Sequence, residues 1–407
     1  MGKLSGAVRQ MLDNALSLYT IEGIVFSVQM HGFELFDDHG AVSDYVSWQD
    51  MRCNGREGEP DTASRLRLMA HNDLFRRNGI ELKNSHSLCP LYHLIKEKGL
   101  NGPLDFTMMG DALVRHLTGK VVPMHPTVAA SSGLYDLIKN DWNRELIAAL
   151  SLEHIHFPEV TAGREPVACY NYKGREIPLY AAVGDHQAAV LGCGAAGGDL
   201  VINIGTGGQI SFVDDDLSLH SNYETRPYFS GRTMRALTQL PSGRTLNVLM
   251  NHILNVGKEV FGLDQTADAK IWARVNELAE EAVNTASGRA LEIDASFFTS
   301  EGGLIRKIDT GNLTTGSLFL AAYRHMADCY FDAFRQLGLE GCSLNGIIGA
   351  GGVLRKTPLI QRLLAERLGL GLKLSSGSED VMFGLLRLGQ WFKHINSEIL
   401  PSVSKTV

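Results

Sequence analysis

Leu200–Ile204 is an apolar run that breaks at once into Gly205-Thr206-Gly207-Gly208, and this junction limits what the chain can fold into. A strand that ends in small residues exposes backbone N–H groups with no side chains in the way, which suits a phosphate group. Upstream, a lone carboxylate, Asp185, stands at a helix start. There it can act as the base that prepares an alcohol to attack that phosphate. The same residues also describe a tight hairpin turn between two strands, with Asp185 as a helix cap. Spacing alone leaves both readings open, because short glycine motifs are common.

The pattern of strand, glycine turn and helix recurs. Gly346–Ile348 reads as a brief strand ending in Gly349-Ala350-Gly351-Gly352. Thr357 and Pro358 then give N-cap and N1 signals for a helix carrying Leu359, Ile360, Leu363, Leu364 and Leu368, with Gly369 as its stop. Leu372–Leu374 reads as the next strand, Gln209–Val213 as the strand after the first glycine turn, and Ser317–Leu337 as a long helix with Ala322, Met326, Tyr330 and Phe334 on one face. In the first half, residues 1–20 space Ala7, Met11, Ala15 and Tyr19 for an amphipathic helix. Gly23–Val28 is a short apolar strand ending in Gln29-Met30-His31-Gly32, and Tyr45–Trp48 a second one ending in Gln49-Asp50. Residues 55–87 are charged and weakly periodic, 88–160 read as a mostly helical insertion, and Tyr180–Val183 returns to strand before Asp185. Strands alternating with helices in both halves argue for two α/β domains with a cleft between them.

Composition narrows the partners. With 44% hydrophobic residues in 407 and a formal charge of −7, the chain has ample core and no concentrated basic surface. That argues against a nucleic-acid or anionic-membrane partner. Six scattered cysteines without CxxC spacing read as reduced thiols in a cytoplasmic protein. No apolar stretch approaches membrane-spanning length, and the N-terminus lacks a signal-peptide core.

The polar groups expected at strand ends are Gln29 and His31, then Trp48, Gln49, Asp50 and Arg52, then Asp185 and Gln187. In α/β sheets ligands gather beyond the carboxyl ends of strands. Amides, an imidazole, carboxylates and an indole face suit a polyhydroxylated substrate, whose hydroxyls need donors and acceptors and whose C–H patches need cover. Trp48 as a half-buried core aromatic and His31 as a turn residue are the plainer alternatives. Gly349–Gly352 permits close approach of an adenine or ribose, or is simply a tight strand-to-helix connection. No GxxxxGK[ST], GxGxxG after a first strand, HExxH or GxSxG is present.

Read in order, QMHG (29–32), WQDMRC (48–53), GDHQAAVLG (184–192), NIGTGGQIS (203–211) and GAGGVLRKTPLIQRLLAERLG (349–369) resemble the FGGY carbohydrate kinase family, most of all its sedoheptulokinase and xylulokinase branches. Residues 125–147 and the helix at 317–337, preceded by Asp309–Leu313, are similar too, so the likeness runs from about residue 5 to 392. It implies an α/β actin-like ATPase (ribonuclease H-like) fold of two domains with a central cleft. Residues 1–193 would be the N-terminal, sugar-side domain, 194–392 the C-terminal, ATP-side domain, and 393–407 a tail. Carried over, Asp185 matches the proton acceptor. Gln29, Met30, His31, Trp48 and Asp50 match the sugar pocket, and Gly205, Thr206 and Gly207 the turn that holds ATP phosphates. Gly351 and Gly352 match the adenosine loop. The implied cosubstrate is ATP with Mg²⁺, and the implied partner a small-molecule sugar, with a homodimer as the expected assembly.

The family's opening strand–Asp-Gly-Thr–strand hairpin is not in the sequence, so the resemblance implies an N-terminally truncated first domain with no metal ligand from that turn. Loss of the hairpin predicts unpaired strand edges and slower phosphoryl transfer. Val28 stands where the family has glycine, and Val381-Met382 where it has alanines. The functions in play are therefore a kinase acting on a terminal hydroxyl of a ketose, sedoheptulose first and xylulose second, a sugar- or nucleotide-binding remnant, and an actin- or chaperone-like ATPase.

Overall fold

A computed structural model describes residues 1–55, 58–195, 197–215, 217–285, 290–298, 302–377 and 379–393. The first half holds α1 (Gly2–Leu16), β1 (Ser27–Val28), β2 (Phe33–Asp37), β3 (Leu104–Met108), α2 (Met109–Thr118), β4 (Val183–Gly184) and α3 (Asp185–Gly192). There follow β5 (Asp199–Ile204), β6 (Gly208–Asp214), β7 (Glu224–Pro227), β8 (Thr233–Leu240), α4 (Gly243–Phe261), α5 (Ala269–Thr285) and α6 (Thr315–Gln336). The last elements are β9 (Gly346–Ala350), α7 (Gly352–Lys356), α8 (Pro358–Leu368), β10 (Leu372–Leu374) and α9 (Asp380–Lys393). These elements fall into two compact units. One comprises Met1–Gly192, Val213–Arg235 and, of the described residues, 379–393; the other comprises Cys193–Phe212 and Ala236–Ser378.

In the first unit β2 lies antiparallel to β3, with Leu35 opposite Phe106, and their flanking partners are Gly40–Ala41 and Ile155–His156. The ring of Phe106 stacks on Phe33 and meets Trp142 edge-on, so aromatic burial rather than a long ladder holds this small sheet. A separate parallel pair joins β1 to β4, with Val28 opposite Gly184. This pairing brings the residues after β1 and those after β4 to one place. Val28 is buried, and a Cβ on Gly110 would stand 3.2 Å from its Cγ1, so the absence of a side chain on α2 makes room for the valine.

The second unit is built on a sheet of order β8-β6-β5-β9-β10. β5 is antiparallel to β6 and parallel to β9. Leu200, Val201, Ile202 and Ile204 are all buried, the near-continuous apolar run expected of a central strand covered on both faces.

Several expectations need correction. Tyr45–Trp48 is not a strand: only Val46 bridges to Phe33. Gly23–Val28 narrows to Ser27–Val28 plus a bridge from Ile24 to Leu179. The 88–160 region is mixed rather than mostly helical, since β3 and the pairs at 135–142 and 155–156 lie within it. By contacts, 213–235 and 379–393 pack with the first unit. Of the expected tail, residues 394–407 lie outside the described residues. Val381 and Met382 sit on α9, where Met382 is 57% exposed.

Candidate active site

In the first unit Asp185 opens α3 directly after β4, and Gln29, Met30 and His31 follow β1, so one parallel pair delivers both groups. His31 adopts φ 74°, a left-handed backbone rare for a side-chain-bearing residue. Its conformation is pinned on three sides. The His31 Nδ1–H donates to the Ser131 carbonyl at 2.7 Å, its N–H reaches the Ser131 hydroxyl at 3.3 Å, and its carbonyl accepts from the Ser87 hydroxyl at 2.7 Å. Because a carbonyl only accepts, the proton sits on Nδ1 and Nε2 is left as an acceptor. The ring stacks on His86 at 4.7 Å.

Met30, His31, His86, Thr127, Ser131 and Gln187 line a small cavity with Glu224 and Arg226 of β7. A Cβ on Gly184 would lie 2.5 Å from Gln187 Oε1 and 3.0 Å from Met30 Sδ, so only glycine lets both side chains close over this point. The Gln187 amide donates to the Pro227 carbonyl at 3.3 Å, while its Oε1 is buried without a protein partner. A buried acceptor without a donor is costly unless a ligand supplies one.

The charges here are ordered. Lys83 Nζ donates to Glu224 Oε1 at 2.9 Å, Arg226 Nε to Glu224 Oε2 at 3.0 Å, and Arg226 Nη1 to His186 Nδ1 at 2.9 Å. Burial opposes ionisation of Glu224, but Arg226 and Lys83 outweigh it and hold the carboxyl well below its ordinary range. Burial lowers His31 to about 4 and, with the Arg226 charge, His186 to about 3, so both rings are neutral near pH 7. Burial raises Asp185 above its ordinary range, against the His186 N–H at 2.8 Å and the Arg226 charge.

Trp48 and Asp50 lie apart from that cavity lining. The Trp48 indole donates to Gln29 Oε1 at 3.3 Å and is 39% exposed; Asp50 is paired with Arg52 at 2.9 Å. Met30 and His31 are thus brought together with Gln187 at the cavity, Gln29 with Trp48, and Asp50 with neither.

In the second unit the strand pair β5–β6 turns through Gly205-Thr206-Gly207, so the hairpin alternative is correct as local geometry. The turn also lines a cavity of about 770 Å³ with Gly243, Leu246, Asn247, Trp272, Asn276, Gly352, Val353 and Lys356. Its carbonyls face the start of α4: the Ser242 hydroxyl donates to Thr206 O at 2.8 Å and the Gly243 N–H to Gly205 O at 2.9 Å. A Cβ on Gly352 would have no atom within 4 Å, whereas one on Gly351, at φ 89°, would stand 2.4 Å from Asn203 Oδ1 and from the Ile204 carbonyl. Gly352 is open to the cavity; Gly351 is needed where α7 crosses the end of β5. Volume, apolar walls and open glycine backbone fit a nucleotide. Among the described residues, no group of three or more His, Cys, Asp or Glu side chains could hold a metal ion, so no step is assigned to Mg²⁺.

Glu224, Arg226 and Lys83 were not legible as site residues, nor were Gly243, Asn247 and Trp272. The one available signal was Glu224-x-Arg226, two charges at the spacing that puts both on one face of a strand. None of the six cysteines is in a disulfide, and no helix among the described residues is long and apolar enough to cross a membrane.

Residues 1–192 match the model of the FGGY family of carbohydrate kinases, N-terminal domain. Over this segment the chain is similar to the FGGY carbohydrate kinases. An L-fuculokinase from Haemophilus influenzae is 22% identical over 93% of this chain and 80% of its own length. Glycerol kinases at 25–34% identity match over 20–43% of their own lengths. Two solved structures show that the FGGY fold, the actin-like ATPase type, is shared. A xylulose kinase from Rhodospirillum rubrum aligns with a TM-score of 0.80 at 18% identity, over 97% of this chain and 81% of that one. A Plasmodium falciparum glycerol kinase with ADP also gives 0.80, at 16% identity over 97% and 80%.

Proposed function

We propose that the chain transfers the γ-phosphoryl group of ATP to a terminal hydroxyl of a ketose, with sedoheptulose as the first candidate and xylulose as the second. The carrying observation is the buried Gln187 Oε1, without a protein partner, in one cavity with neutral His31 and two residues after Asp185 on α3. Two uncharged acceptors in one cavity suit the hydroxyl donors of a neutral polyol. Asp185 takes the proton of the attacking hydroxyl; burial makes it a stronger base than an exposed aspartate. Met30 and His31 contact the sugar, and Gln29 with Trp48 and Asp50 extend its binding surface. Gly205, Thr206, Gly207 and Gly352 lie along the phosphates and nucleoside, with Gly351 fixing the loop. Bound Mg²⁺ would supply charge neutralisation at the phosphates.

The test is ADP release by the purified chain with Mg·ATP and a panel of ketoses, against Asp185→Ala. No release above that control sinks the kinase reading. The other reading is a sugar-binding chain without turnover. Stabilisation by a ketose in thermal unfolding without ADP release selects it.

A further inference from the structure

We propose that Arg226 is a positioning residue for Asp185: from β7 it fixes the neutral His186 ring and lends the buried positive charge that keeps the Asp185 carboxylate ionised. This deepens the kinase reading and rests on Asp185 as its proton acceptor.

The geometry is a chain of contacts. Arg226, 11% exposed at its side chain, donates to His186 Nδ1 at 2.9 Å, and the backbone N–H of His186 donates to Asp185 Oδ1 at 2.8 Å. Arginine only donates, so His186 Nδ1 is the acceptor and the ring carries no charge. Glu224 is shared between Arg226 and Lys83, each bonded to a different carboxylate oxygen. One anion between two cations leaves a positive charge uncompensated, and Asp185 is the carboxylate placed to balance it. Other titratable walls add no charge near neutrality: burial lowers both members of the His31–His86 stack, and lowers His125 to about 4. Thr127, Ser131 and Met30 are uncharged. Burial drives Asp185 toward its protonated form, in which it cannot accept a proton, and Arg226 opposes that drive.

The experiment is a carboxyl ¹³C NMR titration of the full chain labelled at aspartate, with the Asp185 signal identified by its loss in Asp185→Asn. In Arg226→Gln, which keeps amide donors but removes the charge, the Asp185 midpoint is expected to rise by about one pH unit or more. Arg226→Lys is expected to stay within about half a unit of wild type. Glu224→Gln is expected to lower the midpoint, which keeps the test informative if Arg226→Gln does not fold. An unmoved midpoint in Arg226→Gln, an equal rise in Arg226→Lys, or no fall in Glu224→Gln overturns the proposal. The acid limb of kcat/KM for a ketose should follow the same shifts. If the NMR midpoints move as expected while wild type phosphorylates no ketose, the kinase reading falls and the Arg226–Asp185 coupling stands.

Discussion

Gly192, the last residue of α3, meets Asp380, the first of α9, backbone to backbone. A Cβ on Gly192 would stand 1.6 Å from the Asp380 carbonyl oxygen, and one on Gly384 1.9 Å from that of Ala188. Two reciprocal glycines let these helices close without side chains between them, which is why α9 packs with the first unit despite its place near the end of the chain. Gly192→Ala or Gly384→Ala must push the helices apart, at a cost of about 3 kcal/mol. Thermal unfolding followed by circular dichroism should show a drop of several degrees for each, and a variant that melts with wild type would contradict the contact.

Asp185→Asn is expected to lower kcat for ketose phosphorylation by about 10³-fold, with sugar-induced stabilisation retained. It should also make the unliganded protein more stable near neutrality. The sign follows from linkage. A carboxyl raised in the folded state binds its proton more tightly there than in the unfolded chain, so stability falls as pH rises from the unfolded to the folded value. Above that window the asparagine variant is free of the loss; well below it, the two proteins should melt alike. Melting curves across acidic to neutral pH check this, and a destabilised variant at neutral pH would count against a desolvated base.

How far the sequence carried this site depends on the kind of interaction. Asp185, Met30 and His31 were legible because the parallel pair β1–β4 places short motifs at adjacent strand ends. The strand expected at Tyr45–Trp48 does not form, because the adjoining β2 supplies only one bridge, to Val46. For Arg226 and Glu224 the strand spacing gives only a shared face; their partners Lys83 and His186 are long-range, and no local pattern encodes those. The glycines of α3 and α9 were hidden likewise, since a glycine inside a helix signals close packing only once its neighbour is known.

Gln187→Met separates binding from folding. Methionine removes a buried acceptor that has no protein partner but also the amide donor to the Pro227 carbonyl, so the two effects oppose and the unliganded protein should stay within about 1.5 kcal/mol of wild type. The same change should raise KM for the sugar by about tenfold or more, because a bound hydroxyl loses its acceptor. Steady-state kinetics and unliganded melting temperatures measured together decide the matter. A KM equal to wild type would falsify the placement of the sugar at this cavity.

Acid should unfold the first unit early, through its buried histidines. Burial lowers His31 and His125 to about 4 and His186 to about 3, so the unfolded chain binds more protons than the folded one between the ordinary histidine value and these. Stability is therefore complete above about pH 6.5 and is lost as pH falls toward 4, by about 3 kcal/mol for each histidine. His125→Asn should flatten the loss, since its nearest partner is the neutral Thr127 hydroxyl at 2.8 Å rather than an ion pair. Urea midpoints at several pH values between 4 and 7 give the slope, and an identical slope in the variant would remove His125 from the account.

Gly351 and Gly352 are adjacent, yet their substitutions should fail for opposite reasons. At Gly351 the backbone is left-handed and a Cβ would press on Asn203 and the Ile204 carbonyl, so Gly351→Ala should cost about 3 kcal/mol of stability and disturb the end of β5 that leads into the phosphate turn. At Gly352 a Cβ meets no atom within 4 Å, and the residue lines the 770 Å³ cavity. Gly352→Ala should therefore fold with wild-type stability, while a larger side chain, as in Gly352→Leu, extends into the space assigned to the nucleotide. ADP titration by calorimetry should show little change for Gly352→Ala and at least about tenfold weaker binding for Gly352→Leu. Unchanged ADP affinity in a folded Gly352→Leu variant would move the nucleotide out of this cavity, whatever Gly351→Ala does to stability.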